Sequence, residues 1–176
     1  MAPLRLLVIS DTHGYTALAR RAITERGPWD QVLHLGDSLL DAVDLAASLH
    51  RDIAAVPGNN EYGPLPAHHD HLVFDLGGVR FYALHGHDLD VNPYAGDDRL
   101  EADLAAIAGR ARRAGARVAL FGHTHQPLIR ELNGVLLVNP GALGLCDRKP
   151  SYAAIQVYGP GRVEAAIEEI PRLIGE

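Results

Sequence analysis

Short apolar runs alternate with amphipathic stretches in the first third of the chain, and this alternation predicts β-strands separated by α-helices. The strands are predicted at Leu4–Ile9, Gln31–Leu35 and Ile53–Val56, where apolar runs are typical of buried parallel strands. One helix is predicted from a capping Thr16 to about Arg26, and another from about Leu39 to His50. The pattern therefore predicts an α/β fold.

Beyond residue 70, strands joined by glycine-containing turns dominate the pattern. The predicted elements are a hairpin of His71–Leu76 and Val79–Leu84, a helix from a capping box at Asp98 and Glu101 to about Ala114, a strand at Arg117–Phe121, and hairpins around Asn133-Gly134 and Gly159-Pro160-Gly161. Because no repeat or linker interrupts this order, the sequence predicts a single domain over residues 1–176 with a β-rich C-terminal half.

Polar side chains that can bind metal follow five of the predicted strands at their C-terminal ends. The five motifs are Asp11-Thr12-His13, Gly36-Asp37, Gly58-Asn59-Asn60-Glu61, His85-Gly86-His87 and Gly122-His123-Thr124-His125. The carboxyl ends of strands are where α/β sheets bind ligands. Each motif alone occurs often by chance, and an isolated Asp after a strand is more often a cap or turn residue. Five in this order indicate a shared site.

The spacing inside the motifs also favours metal binding. Residues two apart in an extended chain point the same way, so Asp11 and His13 are expected to reach one ion. His123 and His125 have the same spacing and the same expected geometry. The glycines at positions 36, 58 and 122 are expected to allow tight turns and close backbone approach.

The composition narrows the functional class. The chain has 176 residues, of which 47% are hydrophobic and 22% charged, as in an ordinary soluble globular protein. A formal charge of −6 argues against binding a nucleic-acid duplex through bulk electrostatics. The single Cys146 excludes an internal disulfide and is interpreted as structural, and the apolar run at Leu4–Ile9 is too short for a signal peptide or membrane span. We therefore expect a cytoplasmic protein.

The ordered series of motifs resembles that of the calcineurin-like metallophosphoesterase superfamily. The chain length and the closing Asn139-Pro140-Gly141 are similar to the small YfcE-type phosphodiesterases of bacteria and archaea. The resemblance covers most of the chain, from about Leu4 to Tyr152. It implies a four-layer α/β/β/α sandwich with two mixed β-sheets and a site above the strand ends.

The resemblance also implies a binuclear metal centre and a set of site residues. One metal ion would be bound by Asp11, His13 and His125, the other by Asn59, His85 and His123, with Asp37 bridging the two. Carboxylate, amide and imidazole ligands without thiolate suit Mn, Fe, Zn, Ni or Co, and manganese is the first choice. The implied activity is hydrolysis of a small-molecule phosphodiester by a metal-bridging hydroxide, with Asp37, Asn59 and His87 as catalytic residues.

One position departs from the pattern of many relatives, where a histidine that assists the leaving group follows the motif asparagine. Here that residue is Asn60, and an amide cannot act as a general acid, a role typically worth about 10²–10⁴-fold. We therefore expect activated aryl diesters to be hydrolysed far faster than alkyl diesters, unless His87 supplies the proton. His87 is interpreted as lining the substrate pocket or supporting a ligand, and His34 as a core histidine.

Two other interpretations remain open from the sequence. A non-catalytic metal-binding scaffold is one, because the retromer subunit of this fold resembles these enzymes and works as a binding module. A phosphomonoesterase is another. The Ser/Thr phosphatase branch is disfavoured, because it expects Gly-Asp-x-Val-Asp-Arg-Gly where this chain has Gly36-Asp37-Ser38-Leu39-Leu40-Asp41. No membrane partner is expected, and a homo-oligomer is possible.

Overall fold

The computed structural model describes residues 2–65, 67–89, 97–144 and 147–172. Cys146, interpreted above as structural, lies outside these residues. In chain order the elements are β1 (Leu4–Ile9), α1 (Thr16–Glu25), β2 (Gln31–His34), α2 (Leu39–Leu49), β3 (Ala54–Ala55), β4 (His71–Leu76), β5 (Val79–Leu84), a 3₁₀ turn (His87–Leu89), α3 (Asp97–Arg113), β6 (Val118–Leu120), β7 (Leu128–Leu132), β8 (Val135–Asn139), β9 (Ser151–Gly159) and β10 (Arg162–Glu169).

The strands form two five-stranded mixed sheets. The first sheet has the order β10-β9-β1-β2-β3, and the second has the order β4-β5-β6-β8-β7. In the first, β1, β2 and β3 are parallel, while β9 runs antiparallel to β1. In the second, β5, β6 and β8 are parallel, with antiparallel strands β4 and β7 at the edges. Each group of parallel strands therefore ends at one edge of its sheet.

Three hydrophobic cores separate four layers. Residues of β1 alternate between two of them: Leu6 and Val8 pack in the core between the sheets, whereas Leu7 and Ile9 pack in the core shared with α1. The third core lies between the second sheet and α3, where Ile107 is completely buried. This is the α/β/β/α sandwich with two mixed sheets that the resemblance implied. No helix among the described residues is long and apolar enough to cross a membrane.

The predicted strands and hairpins are present, but both predicted helix caps are wrong. Thr16 is the first helical residue of α1, and the capping position is Tyr15, which makes no side-chain capping bond. Asp98 is the second residue of α3, so it does not cap that helix with Glu101. Several strands are also one or two residues shorter than predicted, because their ends bend away to form the loops described below.

Candidate metal centre

Four of the implied metal ligands come together above the strand ends. Asp11 and His13 follow β1, Asp37 follows β2 and His125 follows β6, and one ligand atom from each lies within 4.8 Å of all the others. His125 Nε2 is 3.1 Å from Asp11 Oδ1 and 3.3 Å from His13 Nε2. Both sheets therefore contribute to this group, and we call Asp11, His13 and His125 the outer cluster.

The remaining implied ligands form a second cluster on the other side of Asp37. His85 Nε2, at the end of β5, lies 3.1 Å from Asn59 Oδ1 and 3.4 Å from Asp37 Oδ1. The ring of His123 lies beside that of His85, with 5.2 Å between the ring centroids. We call His85, Asn59 and His123 the inner cluster. Asp37 lies between the clusters, because its other oxygen, Oδ2, is 3.7 Å from His13 Nε2.

The environment of Asp11 fits a bound cation. Its Oδ2 accepts hydrogen bonds from the hydroxyl of Ser10 and from the backbone N–H of His123. Its Oδ1 is buried and accepts no hydrogen bond from the described residues, although His125 Nε2 lies close to it. An unpaired buried carboxylate oxygen is costly unless a cation neutralises it. Asp11 therefore presents an unpaired oxygen to the outer cluster.

His85 is held with one nitrogen facing the inner cluster. Its Nδ1 lies 2.6 Å from the carbonyl oxygen of Leu35, which can only accept, so Nδ1 carries the proton and donates it. In the neutral ring the lone pair of Nε2 then points at Asn59 Oδ1 and Asp37 Oδ1. A backbone bond that fixes the tautomer in this way is typical of metal-binding histidines.

The electrostatics of the site favour positive charge between its side chains. Burial disfavours a charged His85 ring, but the hydrogen bond to Asp37 and the charge of Asp11 outweigh it and raise the pKa of His85. Burial also opposes ionisation of Asp37, yet its bonds with His85 and Asn60 hold the pKa of Asp37 far below its ordinary value. Burial and the proximity of His85 lower the pKa of His123, which keeps this ring neutral.

The backbone that presents these side chains is unusual. Five residues adopt left-handed φ angles, a conformation uncommon for residues other than glycine: Asp11 (55°), His13 (48°), Asp37 (48°), His123 (67°) and His125 (55°). The predicted extended Asp-x-His and His-x-His geometry is therefore wrong. The left-handed turns place His125 near Asp11 and His123 near His85, so the two histidines of one motif face different clusters.

The predicted close approach at the glycines is confirmed. A Cβ atom built on Gly58 would overlap the Asp37 carboxylate, and one built on Gly122 would overlap the hydroxyl of Ser10. Any larger residue at these positions would push the loops carrying Asn59 and His123 away from the first sheet. These glycines are therefore required by contact between loops from different strands.

Two residues of the third motif support Asp37 directly. Glu61 accepts backbone N–H bonds from Gly58 (2.6 Å), Leu39 (2.5 Å) and Asp37 (3.2 Å), so it joins the Asp37 turn to the Asn59 turn. Glu61 was not among the predicted site residues, although its place in the third motif was a signal. Asn60 donates to both oxygens of Asp37, from its backbone N–H and its side-chain amide, each over 2.8 Å.

His87 and His34, the two further histidines interpreted from the sequence, have different surroundings. His87 is exposed, and its ring centroid lies 5.4 Å from that of His85 and 6.4 Å from that of His123. His34 is completely buried and bonds through both nitrogens, to Thr12 and to Gly36, so its interpretation as a core histidine is confirmed. Burial lowers the pKa of His34 to about 4.

The fold and the site together define the protein class. The model of the calcineurin-like phosphoesterase superfamily domain matches residues 4–159, and the chain belongs to this family. A probable metallophosphoesterase of Methanocaldococcus jannaschii is 33% identical over 143 residues, which are 77% of this chain and 66% of that relative. A second protein of the same archaeon, named a phosphodiesterase, is 24% identical over 153 residues, 78% of this chain and 83% of its own length.

Solved structures share the fold over nearly the whole chain. A predicted phosphoesterase from Streptococcus pneumoniae has a TM-score of 0.68 at 25% identity, covering 96% of this chain and 99% of that one. Vacuolar protein sorting 29 from Cryptosporidium parvum also has a TM-score of 0.68, at 20% identity, covering 98% and 100%. The first agrees with the family assignment, and the second shows the fold alone. The family uses divalent metal ions, and the outer cluster with Asp37 forms a group that can bind one.

Proposed function

We propose that the protein is a two-metal phosphodiesterase. The outer cluster of Asp11, His13 and His125 would bind one divalent ion and the inner cluster of Asn59, His85 and His123 the other, with Asp37 shared. The observation that supports this most is the position of the Asp37 carboxylate, whose Oδ2 lies 3.7 Å from His13 Nε2 and whose Oδ1 lies 3.4 Å from His85 Nε2. Manganese is the first metal to test.

The ligand set explains how an acidic protein could bind an anionic substrate. Two divalent ions would bring four positive charges and the carboxylates of Asp11 and Asp37 two negative ones, leaving a local charge of about +2. Ions held in this way activate a water molecule as nucleophile and offset the charge on phosphate. Asn59, a neutral ligand, keeps the site from becoming more negative. The local charge would therefore attract phosphate despite the net charge of −6.

The residues around Asp37 favour a diester with a good leaving group. Asn60 uses its amide to bond Asp37 Oδ2, so it supports the shared carboxylate and cannot protonate a leaving oxygen. His87 is exposed beside the inner cluster, and we assign it to the substrate pocket. The archaeal relative named a phosphodiesterase agrees with a diester substrate.

A metal-binding scaffold without catalysis is the alternative function. The vacuolar protein sorting structure has the same fold, so the fold alone does not separate the two. The presence of all seven implied ligand residues, with Asp37 between two histidine clusters, favours the enzyme. A scaffold would bind metal and hydrolyse nothing.

The test is a screen of metal-reconstituted protein over aryl and alkyl phosphodiesters and the matching monoesters. We expect diester hydrolysis that requires added Mn²⁺ and falls by more than about 100-fold in Asp37→Ala, since even outer partners of a metal site contribute 10–100-fold. Circular dichroism verifies that the variant is folded. Retained activity in Asp37→Ala would contradict the mechanism, and metal binding without hydrolysis would favour the scaffold.

A further inference from the structure

Behind the outer cluster lies a line of buried polar side chains that no role in hydrolysis requires. We propose that Thr12, His34 and Asp41 form a positioning relay that fixes the spacing of the His13 and Asp37 turns and so determines how tightly the centre binds metal. The inference rests on the proposed metal centre, and it concerns residues that bind no metal themselves.

The hydrogen bonds of the relay converge on the carboxylate of Asp41 from both ends. The backbone N–H of Gly36 donates to His34 Nδ1 over 3.1 Å, so the neutral ring carries its proton on Nε2. Nε2 then donates to the hydroxyl of Thr12 over 2.9 Å. That hydroxyl donates in turn to Asp41 Oδ2 over 2.5 Å, and the same oxygen accepts the backbone N–H of Gly14 over 2.8 Å. The relay thus runs from Gly36 to Gly14.

The two ends of the relay are the two turns that present ligands. Gly36 directly precedes Asp37, and Gly14 directly follows His13. The same turns are joined in front by backbone bonds of 3.0 Å from Asp11 N–H to Gly36 O and from His13 N–H to Asp37 O. The backbone bonds set the distance between the turns at one side, and the relay sets it at the other. Both together fix the angle at which His13 and Asp37 face each other.

Burial makes the relay sensitive to the loss of one link. Thr12 and His34 are completely buried and Asp41 is 8% exposed, so water has little access to replace a missing partner. The Thr12 hydroxyl accepts a hydrogen bond from His34 and donates one to Asp41, and an apolar side chain of the same shape, such as that of Val, can do neither. Without the hydroxyl, a buried N–H and a buried carboxylate oxygen each lose a partner. Movement of the turns toward new partners would relieve that penalty and displace the ligands.

His34 has no free nitrogen with which to bind an ion. Its Nδ1 accepts from Gly36 and its Nε2 donates to Thr12. Its effect on metal binding therefore has to pass through the turns. Outer partners of this kind change metal affinity by about 10–100-fold when removed.

The experiment measures metal binding and not hydrolysis. Metal-free wild-type protein, Thr12→Val and Thr12→Ser are titrated with Mn²⁺ by calorimetry. Thr24→Val serves as the matched control, because Thr24 is exposed on α1 and its hydroxyl donates to the Arg20 carbonyl in its own helix. We expect Thr12→Val to bind Mn²⁺ about 10–100-fold more weakly, Thr12→Ser to restore most of the affinity, and Thr24→Val to match the wild type.

A second pair of variants tests the relay even if Thr12→Val does not fold. Asp41→Leu removes the acceptor at the other end of the relay, and Asp44→Leu is its control, because Asp44 is exposed on the same helix. Wild-type Mn²⁺ affinity in folded Thr12→Val or in folded Asp41→Leu would overturn the relay. A wild-type protein that binds Mn²⁺ but hydrolyses no diester would overturn the proposed function and leave the relay in place. A wild-type protein that binds no Mn²⁺ would overturn both.

Discussion

The inner and outer clusters of the candidate metal centre differ in how their histidines are held. The side chain of His85 is completely buried, and a bond to the Leu35 carbonyl fixes its tautomer. In the outer cluster, the side chains of His13 and His125 are 20% and 31% exposed, and both residues adopt left-handed backbone angles. The inner cluster thus has one histidine that is held by the core, His85, whereas both outer histidines are held by the conformation of their turns.

This difference matters because the two arrangements respond differently to change. A ligand fixed by the core cannot be removed without disturbing packing, so its loss affects stability and metal binding together. A ligand at an exposed turn can be removed with little effect on stability. Four predictions test how far the contrast extends.

The largest effect is expected when the leaving group of the substrate is changed from aryl to alkyl. This comparison tests whether a residue near the inner cluster donates a proton to the leaving oxygen. With Asn60 bonded to Asp37, an aryl diester should be hydrolysed about 10²–10⁴-fold faster than an alkyl diester, because only the aryl leaving group needs no acid. The measurement is kcat/KM for both substrates at one pH. Equal rates would contradict this, and a selective loss of alkyl hydrolysis in His87→Gln would then identify His87 as the acid.

Removal of one histidine from each cluster should show which of the two metal-binding histidines also contributes to the free energy of unfolding. In metal-free protein, His85→Ala should lower the free energy of unfolding by roughly 4 kcal/mol, because it empties a buried site and leaves the Leu35 carbonyl without its donor. His125→Ala should lower it by less than about 1 kcal/mol, since that ring is partly exposed. Urea unfolding measures both. Equal losses in the two variants would refute the contrast.

His34 is a completely buried histidine behind the outer cluster, and its titration should affect how the free energy of unfolding depends on pH. Its pKa is about 4 in the folded protein and 6.5 in the unfolded chain, so the unfolded chain binds more protons between these values. Stability should therefore be fully present above pH 6.5 and decline as the pH falls toward 4, by on the order of 3 kcal/mol.

The measurement for His34 is urea unfolding of metal-free protein at a series of pH values. His34→Gln should have a flatter profile between pH 4 and 6.5 than the wild type. Other groups that titrate in this range contribute to both proteins and cancel in the difference. Parallel profiles would show that His34 is not buried as a neutral ring.

The smallest effect is expected for Asn60, which supports the carboxylate shared by the clusters. Asn60→Leu removes the hydrogen bond from the side-chain amide to Asp37 Oδ2 and keeps the hydrogen bond from the backbone N–H to Oδ1. Mn²⁺ affinity should therefore fall by about 10-fold, the lower end of the effect expected for residues that support a metal ligand without binding the metal. Calorimetric titration measures it. Unchanged affinity would mean that the backbone N–H of residue 60 is sufficient to orient Asp37.

Most of the elements could be predicted from the sequence because their signals are local. The buried strand β1 and the glycine turn between β4 and β5 are determined within a few residues, and both predictions are confirmed. The helix caps failed because the start of a helix also depends on how the chain enters it. At α1 the N–H of Tyr15 donates a hydrogen bond to the Thr12 carbonyl, and after this turn the helix starts one residue earlier than it would with Thr16 as its cap.

The chemistry of the site could be predicted from residue types, but its geometry could not. The motifs identified the residues that the structure brings together around Asp37. The extended geometry expected for Asp11 and His13 was wrong, because left-handed φ angles at such residues are stabilised by contacts with other loops. Glu61 had no role in the sequence analysis for the same reason, since its bonds join two turns from different strands.

The sequence by itself determined the order of strands and helices, the residue types available to bind metal, and their positions after strands. Hydrophobic periodicity and turn residues encode these features over short distances. Only the tertiary structure decided that β9 pairs with β1, that His123 and His125 face different clusters, and that Asp37 lies between two sets of histidines. Those features depend on how two sheets pack against each other, and packing joins residues that no local pattern relates.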